Sequence, residues 1–559
     1  MFEPAEGHRF SLIVSGDHLI GYRIARSLFI IWTVAFFILA SNAVRAEEPP
    51  SVPGPRDAYV SSSIGDARIL IPFFADDTSS AAICGLIYNG LTKVDKDLSI
   101  TGDLAESWDV SGDGLEIIFH LRKGVQWHDG EPFTAEDVKF TYDKILDPST
   151  GSAYISSYSD ITGIQARDDH TVVFRYSRPY SPALSKFGMG IIPSHIFSAE
   201  DNIRSSPYAR RPIGTGPYVF SRWDTGQYIV LDAFGKYFEG EPGIKRYVST
   251  VIPDQSVQFL ELVSGGIDSM ELNPYQYVYR SDTPGFRQKI DKFRYLSHSY
   301  SYIGYNLEDP ILGDIRVRRA LSYAIDRRQM IDSVLLGLGE ECSGPFLKGT
   351  PFYDPSVEGY EYDPDKAAKL LRQAGWVDTD GDGVLEKGDM EFRIKLATNQ
   401  GNQVREDAAT VVQSQWEKVG VKAQIQVVAW SAFLDQFINK RNFQAVLLGW
   451  TIPVDPDIFS VWHSDSAVQG GLNFISLKDA ELDALIEDGR REFDPGKRAG
   501  IYKKAHRRIN ELAPYTFLYF PQALPAVNRR FKGIEPASAG IGYNFIDWYV
   551  PEDEVKYKF

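Results

Sequence analysis

Polar and apolar residues alternate with two different periods along this chain. In the stretch LAESWDVSGDGLEIIFHLRKGVQWHDGEPFTAEDVKFTYDKILDP, Leu104 to Pro148, a two-residue repeat sets Phe119 and Leu121 opposite Ile118, His120 and Arg122. That repeat predicts two strands joined by the Gly112-Asp-Gly114 turn, with a second turn at Asp129-Gly130. The period then changes, because Val138, Tyr142 and Ile145 recur at helical spacing behind Thr134, an N-cap with Asp137 three residues on. After Gly214-Thr-Gly-Pro217, YVFSRW and YIVLDAF read as two more strands. Val317, Ala320, Leu321, Ala324, Ile325 and Ile331 define an amphipathic helix in DIRVRRALSYAIDRRQMIDSVLLG. Asp363-Pro364 opens another helix, with Gly375 past its end, and Arg405 to Val419 is a third, stopped by Gly420 before the alternating strand VKAQIQVV. Strands and helices interleave throughout, which predicts an α/β architecture.

At 559 residues the chain exceeds what one core supports, so several lobes are expected. A net charge of -16 argues against a nucleic-acid partner or an anionic membrane surface. Arg23 and Arg26 precede the apolar run Leu28 to Ala40, and SNAVRA places Val44 and Ala46 at the small-residue positions before a cut. Residues 1–46 are therefore expected to be a signal peptide, too short in its apolar run for the about 20 residues of a membrane span. The segment before the run is long for such a signal, which suggests Val14 or Leu19 as the true start. No cysteine lies at the cut, so the expected product is a periplasmic protein without a lipid anchor. The two cysteines, Cys84 and Cys342, read as a disulfide in an exported chain, with two buried thiols as the alternative.

DTDGDGVLEKGD, Asp378 to Asp389, fits the calcium-loop pattern D-x-D-x-D-G, with Gly383 at the sixth position. Asp378, Asp380, Asp382, the Val384 carbonyl and Asp389 would supply hard oxygen ligands to a structural calcium, although aspartate at the last position closes such a loop poorly. The other reading is an acidic turn between a helix and the strand EFRIKLAT. No cofactor is required by any motif. The chain has neither a G-x-S-x-G elbow nor an H-E-x-x-H zinc motif, so a secreted hydrolase is the weaker class, although a glycosidase's carboxylate pair leaves no such mark.

LAESWDVSGDG, FHLRKGVQWHDGEPFTAEDV, GTGPYVF, DIRVRRALSYAIDR and LGWTIPVDPD, in that order, resemble the extracellular solute-binding proteins, family 5, of ABC transporters. The resemblance implies a two-lobed periplasmic-binding-protein fold, type II in its large three-domain variant, with a hinge and an interlobe cleft. It places lobe I at 47–90, 206–285 and 521–559, an inserted domain II at 91–205 and lobe III at 286–520. It implies a monomer that captures an oligopeptide and passes it to ABC permease transmembrane subunits, with metal chelates and saccharides as alternative solutes. It also points to GWTIPVDPDIF as cleft rim: Trp450 would give an apolar face, and Asp455 or Asp457 would receive a ligand ammonium. The competing reading is a proline-shaped turn whose aspartates cap backbone. The family's ammonium-binding aspartate usually stands where this chain has Pro453 and Val454, so either Asp455 takes the role or the ligand is not held by its amino group. Tyr302, Tyr305 and Asn306 are further candidates from the resemblance. Arg316, Arg318, Arg319, Arg327 and Arg328 read as a solvated or inter-lobe face, or else as a basic patch for an anionic ligand.

Overall fold

A computed structural model describes residues 58–200 and 202–556; the expected signal segment, with its alternative starts, lies outside the described residues. Among the described residues, three larger sheets and two two-stranded ribbons organise the chain. The first runs, edge to edge, through Ile290–Lys292, Pro525–Asn528, Ser269–Glu271, Ala58–Ser63, Arg246–Val251, Tyr228–Ala233 and Tyr218–Asp224. Its centre is parallel, with Ala58 opposite Arg246 and Ser63 opposite Val251. The second runs through Tyr295–Leu296, Tyr515–Ala523, Ser299–Tyr305, Ala445–Thr451, Arg393–Asn399 and Lys422–Val428. A third, antiparallel sheet orders Ala105–Val110, Glu116–Leu121, Thr171–Tyr176 and Ile161–Asp168.

The alternation read between Leu104 and Pro148 is realised: Ile117, Phe119 and Leu121 are buried, and Glu116, Ile118 and His120 are only partly so. The helix that follows, Ala135–Leu146, carries a capping box between Thr134 and Asp137. Phe119, Trp127 and Tyr142 of this inserted unit share one continuous core with Leu70, Ile87 and Leu231 of the first lobe. The second lobe has two cores, with Ile303, Leu447 and Trp416 in one and Tyr302, Val446 and Phe517 in the other. This is the strand period of two expressed on both faces of one sheet.

The chain passes between the first and second sheets at two adjacent places. Ile290–Lys292 leads into Tyr295–Leu296, and Tyr515–Ala523 leads through Leu524 into Pro525–Asn528. The two crossings pair with each other, Lys292 with Ala526 and Tyr295 with Ala523. Ile290–Lys292 therefore belongs with the first sheet, and residues 521–523 with the second, which differs by a few residues from the division expected at 286 and 521. Two neighbouring crossings make a hinge about which the lobes can rotate.

The recognisable motifs turn out to be scaffold. Nδ1 of His128 accepts the Gly214 N–H at 3.2 Å, and Nε2–H donates to the Gly216 carbonyl at 3.0 Å. Burial lowers the His128 pKa to about 4, so the ring serves as a neutral link. Gly214 passes so close to Ile87 that a Cβ there would stand 1.9 Å from its carbonyl oxygen. In the arginine-rich helix, Ile315–Tyr323, Arg318 is buried and donates to the carbonyls of Leu312, Gly313, Leu512 and Ala513. Arg327 is also buried and donates to Phe517 and Tyr360 carbonyls. These two arginines thus correct the solvated-face reading: they satisfy backbone oxygens inside the lobe, while at the surface Arg316 pairs with Asp314, the helix N-cap two residues before it, and not at the helical spacing expected.

The disulfide expectation is corrected too. Cys84 and Cys342 are free and buried in separate cores, and the Cys342 thiol donates to the Gly344 carbonyl. Burial pushes both thiols above their ordinary pKa. No helix of the described residues is long and apolar enough to cross a membrane.

Candidate functional site

A cavity of about 1080 Å³ is walled by the first lobe, the inserted unit and the second lobe together. The first lobe supplies Asp76, Asp77 and the start of the helix Thr78–Ile87, whose N-cap Asp77 accepts from the N–H groups of Ser79 and Ser80. The inserted unit supplies Tyr154, Tyr158 and Lys186, and the second lobe supplies Tyr300, Tyr302, Trp430 and the run Leu448 to Asp455. Contacts between lobes close two sides of the space. On one, Arg68 bridges Asp76 and Asp435, and Gly65 lies against Trp430, whose ring would be 2.7 Å from any Cβ at that position. On the other, the inserted unit meets the second lobe around Asp457.

The strand Ala445–Thr451 brings the loop Gly449 to Phe459 to the cavity. It pairs with Ser299–Tyr305 along its whole length, from Tyr305 opposite Ala445 to Ser299 opposite Thr451. On its other side only Ala445 and Val446 have strand partners. Among the described residues, the edge from Leu448 to Thr451 is thus without a neighbouring strand where it lines the cavity. Trp450 is half-buried there, donating its indole N–H to Tyr515 Oη at 3.2 Å and lying parallel to Tyr302. Tyr302 in turn stacks on Tyr515 with ring centroids 4.0 Å apart.

The two loop aspartates both meet cations of the chain itself. Asp455 receives a two-pronged contact from Arg498, each N–H···O at 2.8 Å. Asp457 is buried, with Lys186 Nζ at 3.2 Å, Arg490 Nε at 3.8 Å and the Tyr180 hydroxyl donating at 3.3 Å. Burial alone would raise the Asp457 pKa, yet Lys186 and Arg490 hold it below the ordinary carboxylate value. Arg490 itself is wedged between the rings of Tyr180 and Phe459. In this arrangement neither aspartate presents a free carboxylate to a ligand ammonium, and both the capping and the rim readings of the loop are partly realised: Asp457 Oδ1 also accepts the Phe459 N–H.

Of the other candidates, Tyr302 and Trp450 line the cavity and two residues do not. Tyr305 is fully buried in the second-lobe core, bonded to Thr516. Asn306 donates to the Arg441 and Phe443 carbonyls and borders a separate pocket at the far end of the same strand pair. Both are corrections, and the cause is the pleat and the length of Ser299–Tyr305, which carries its last residues away from the cleft. Lys186, Tyr180, Arg490 and Arg498 were missed. Tyr180 is 277 residues from Asp457 in sequence, and no local pattern signals such a pairing.

In the acidic loop, Asp378, Asp380, Asp382 and Glu386 bring carboxylate oxygens within 4.8 Å of one another. Asp389, expected as the closing ligand, is not in this group: it sits in the turn of the hairpin Glu386–Lys387 and Met390–Glu391. Glu386, four residues after Asp382, takes the place beside the three aspartates.

The family model of the bacterial extracellular solute-binding proteins, family 5 Middle, matches residues 99–471. The oligopeptide-binding protein AppA of Bacillus subtilis is 33% identical over 539 residues, 94% of this chain and 98% of that one. The solved structure of that AppA, in complex with a nonapeptide, superposes with a TM-score of 0.85 at 32% identity, over 89% of this chain and 100% of that one. NikZ of Campylobacter jejuni in complex with Ni(L-His) superposes with a TM-score of 0.81 at 28% identity, over 89% of this chain and 100% of that one. The order of motifs, the paired crossings and the cavity between lobes have the same source: this chain belongs to the bacterial extracellular solute-binding proteins of family 5.

Proposed function

We infer that this protein is the substrate-binding component of an ABC importer, exported to the periplasm without a lipid anchor, where as a monomer it captures oligopeptides and presents them to the permease's transmembrane subunits. The observation that carries the peptide reading is the unpaired edge from Leu448 to Thr451 inside the cavity. A strand edge offers alternating N–H and C=O groups to an extended peptide, and such main-chain bonding is indifferent to the guest's side chains. The cavity, about 1080 Å³, is also just above the range for small-molecule sites, about 300–1,000 Å³, and so accommodates several residues. Trp450, half-buried at the cavity, would cover guest side chains by area, backed by the buried rings of Tyr302 and Tyr300. The nonapeptide in the related AppA supports the same class of guest.

The mechanism is binding without chemistry. A ligand bridging the first lobe and the strand edge of the second favours the closed arrangement over the open one, and only that difference in affinity drives closure. Closure then gives the permease a distinct shape to recognise. The acidic loop is the chain's place for a structural calcium, held by Asp378, Asp380, Asp382 and Glu386 with the Val384 carbonyl, and it plays no part in the cavity.

Native mass spectrometry of protein purified from its own host tests the reading. Co-purified masses resolving to peptides, lost on Trp450→Ala, are the expected result. A co-purified metal chelate or saccharide in their place overturns it.

A further inference from the structure

Among the described residues lining the cavity, the carboxylates are those of Asp76, Asp77, Asp455 and Asp457, and the only lysine or arginine is Lys186. Each carboxylate is already matched. Asp76 pairs with Arg68 at 3.2 Å, and Asp77 accepts two backbone N–H groups and the Ser80 hydroxyl as a helix cap. Asp455 is held by both prongs of Arg498. Asp457 is held by Lys186 at 3.2 Å. The Lys186 ammonium comes from the inserted unit, at the end of the short helix Ala183–Lys186, and meets a carboxylate of the second lobe's cavity loop. It sits where a guest cation would have to sit to reach Asp457. Around it Arg490, the Tyr180 hydroxyl and the Phe459 N–H occupy the remaining sides of that carboxylate. His298, the one lining imidazole, has its pKa lowered by burial and adds no cation at neutral pH.

We propose that Lys186 is a built-in counter-cation occupying the ammonium position of the cavity loop, so that this protein selects guests without regard to a free α-amino group: N-terminally blocked peptides, or peptides whose amino end projects beyond the cavity. The proposal rests on the peptide reading above. Its physical basis is charge matching. A guest ammonium reaching the cavity loop loses its water and finds both loop carboxylates already paired with cations, whereas a neutral acetylated terminus gives up far less. The same lysine lets the inserted unit and the second lobe meet without a guest's help, because the buried charge on Asp457 is satisfied from within the chain.

The test uses the whole mature protein and a mixture of apolar tetrapeptides in two forms, free and N-acetylated, with calorimetry on the best-retained pair. In the wild type the acetylated form is expected to bind tighter than the free form, or no weaker than it by more than about threefold. Acetylation that weakens binding by more than this overturns the proposal. Lys186→Met keeps the apolar stem and removes the cation, opening Asp457 to a guest ammonium. This variant is expected to shift the ratio by about tenfold in favour of the free form, the scale of a charge-assisted hydrogen bond. A ratio unchanged in a folded variant also overturns it. If K186M does not fold, the wild-type ratio alone decides. Binding of neither form by the wild type overturns the peptide reading, and the inference with it.

Discussion

The block around His128 and the loop around Asp457 are both rich in turn residues, both recognisable in the sequence and both held by polar side chains, yet they differ in where their partners come from. His128, in the inserted unit, is bonded to Gly214 and Gly216 of the first lobe, with which that unit shares one continuous core. The Asp457 carboxylate is matched by Lys186 and Tyr180 from the inserted unit and by Arg490 from the second lobe. The first arrangement survives whatever the lobes do. The second exists only while the inserted unit and the second lobe are in contact, so part of the binding loop's energy depends on closure. A motif can therefore be equally legible in two places and mark a rigid joint in one and a conformation-dependent contact in the other.

The comparison breaks most visibly at Asp457. Asp457→Ala strands Lys186 and Arg490 beside a buried gap, and breaking a buried pair in this way costs about 3–5 kcal/mol. Urea unfolding should show the loss, and small-angle scattering should show a more open ensemble as well. Gly214→Ala acts on the joint instead. Its Cβ has no room against the Ile87 carbonyl, and overpacking of this kind costs about 1–3 kcal/mol or more. Unfolding should register it while the opening of the lobes stays as in the wild type.

Beside the joint, Asp103 sharpens the contrast through pH. It is buried with Asn89 donating to it, and burial, opposed by Lys93 and Asn89, raises its pKa to about 7. The folded state therefore keeps this proton up to about pH 7, while the unfolded chain releases it near the ordinary value of about 3.9. Stability from this group is fully present below the unfolded value and is lost as pH rises through the folded one, at a slope of up to about 1.4 kcal/mol per pH unit. Asp103→Asn should remove that slope from the stability profile between pH 4 and pH 7, as judged against the wild type. The smallest effect is expected at the acidic loop: calcium should raise the melting temperature relative to chelator, and Asp378→Asn should abolish the difference. An identical melt in both solutions would leave the loop a plain turn.

The strand Glu116–Leu121 and the helix Ala135–Leu146 were legible because their periodicity and caps are local: Phe119, Val138 and Thr134 act within a few residues of themselves. The arginines of Ile315–Tyr323 were misread for the opposite reason. Charge at helical spacing looks solvated, and only the approach of Leu512 and Ala513 shows that Arg318 caps carbonyls inside the lobe. Trp450 and Tyr302 were found at the cavity, whereas Tyr305 and Asn306 lie on the same strand but beyond it, a difference of position that strand length settles. Asp389 gave way to Glu386 because the chain folds into a hairpin at 386–391 in place of closing the loop with its last carboxylate.

Sequence by itself determined the α/β character, the caps and turns, and the motif order that marks the family, since these follow from side-chain period, backbone preference and short-range bonding. Only the tertiary structure decided which charges meet. Lys186, Asp457 and Arg490 are far apart along the chain, and the energy that pairs them arises when folding removes all of them from water at one place, a condition that no local stretch of residues encodes.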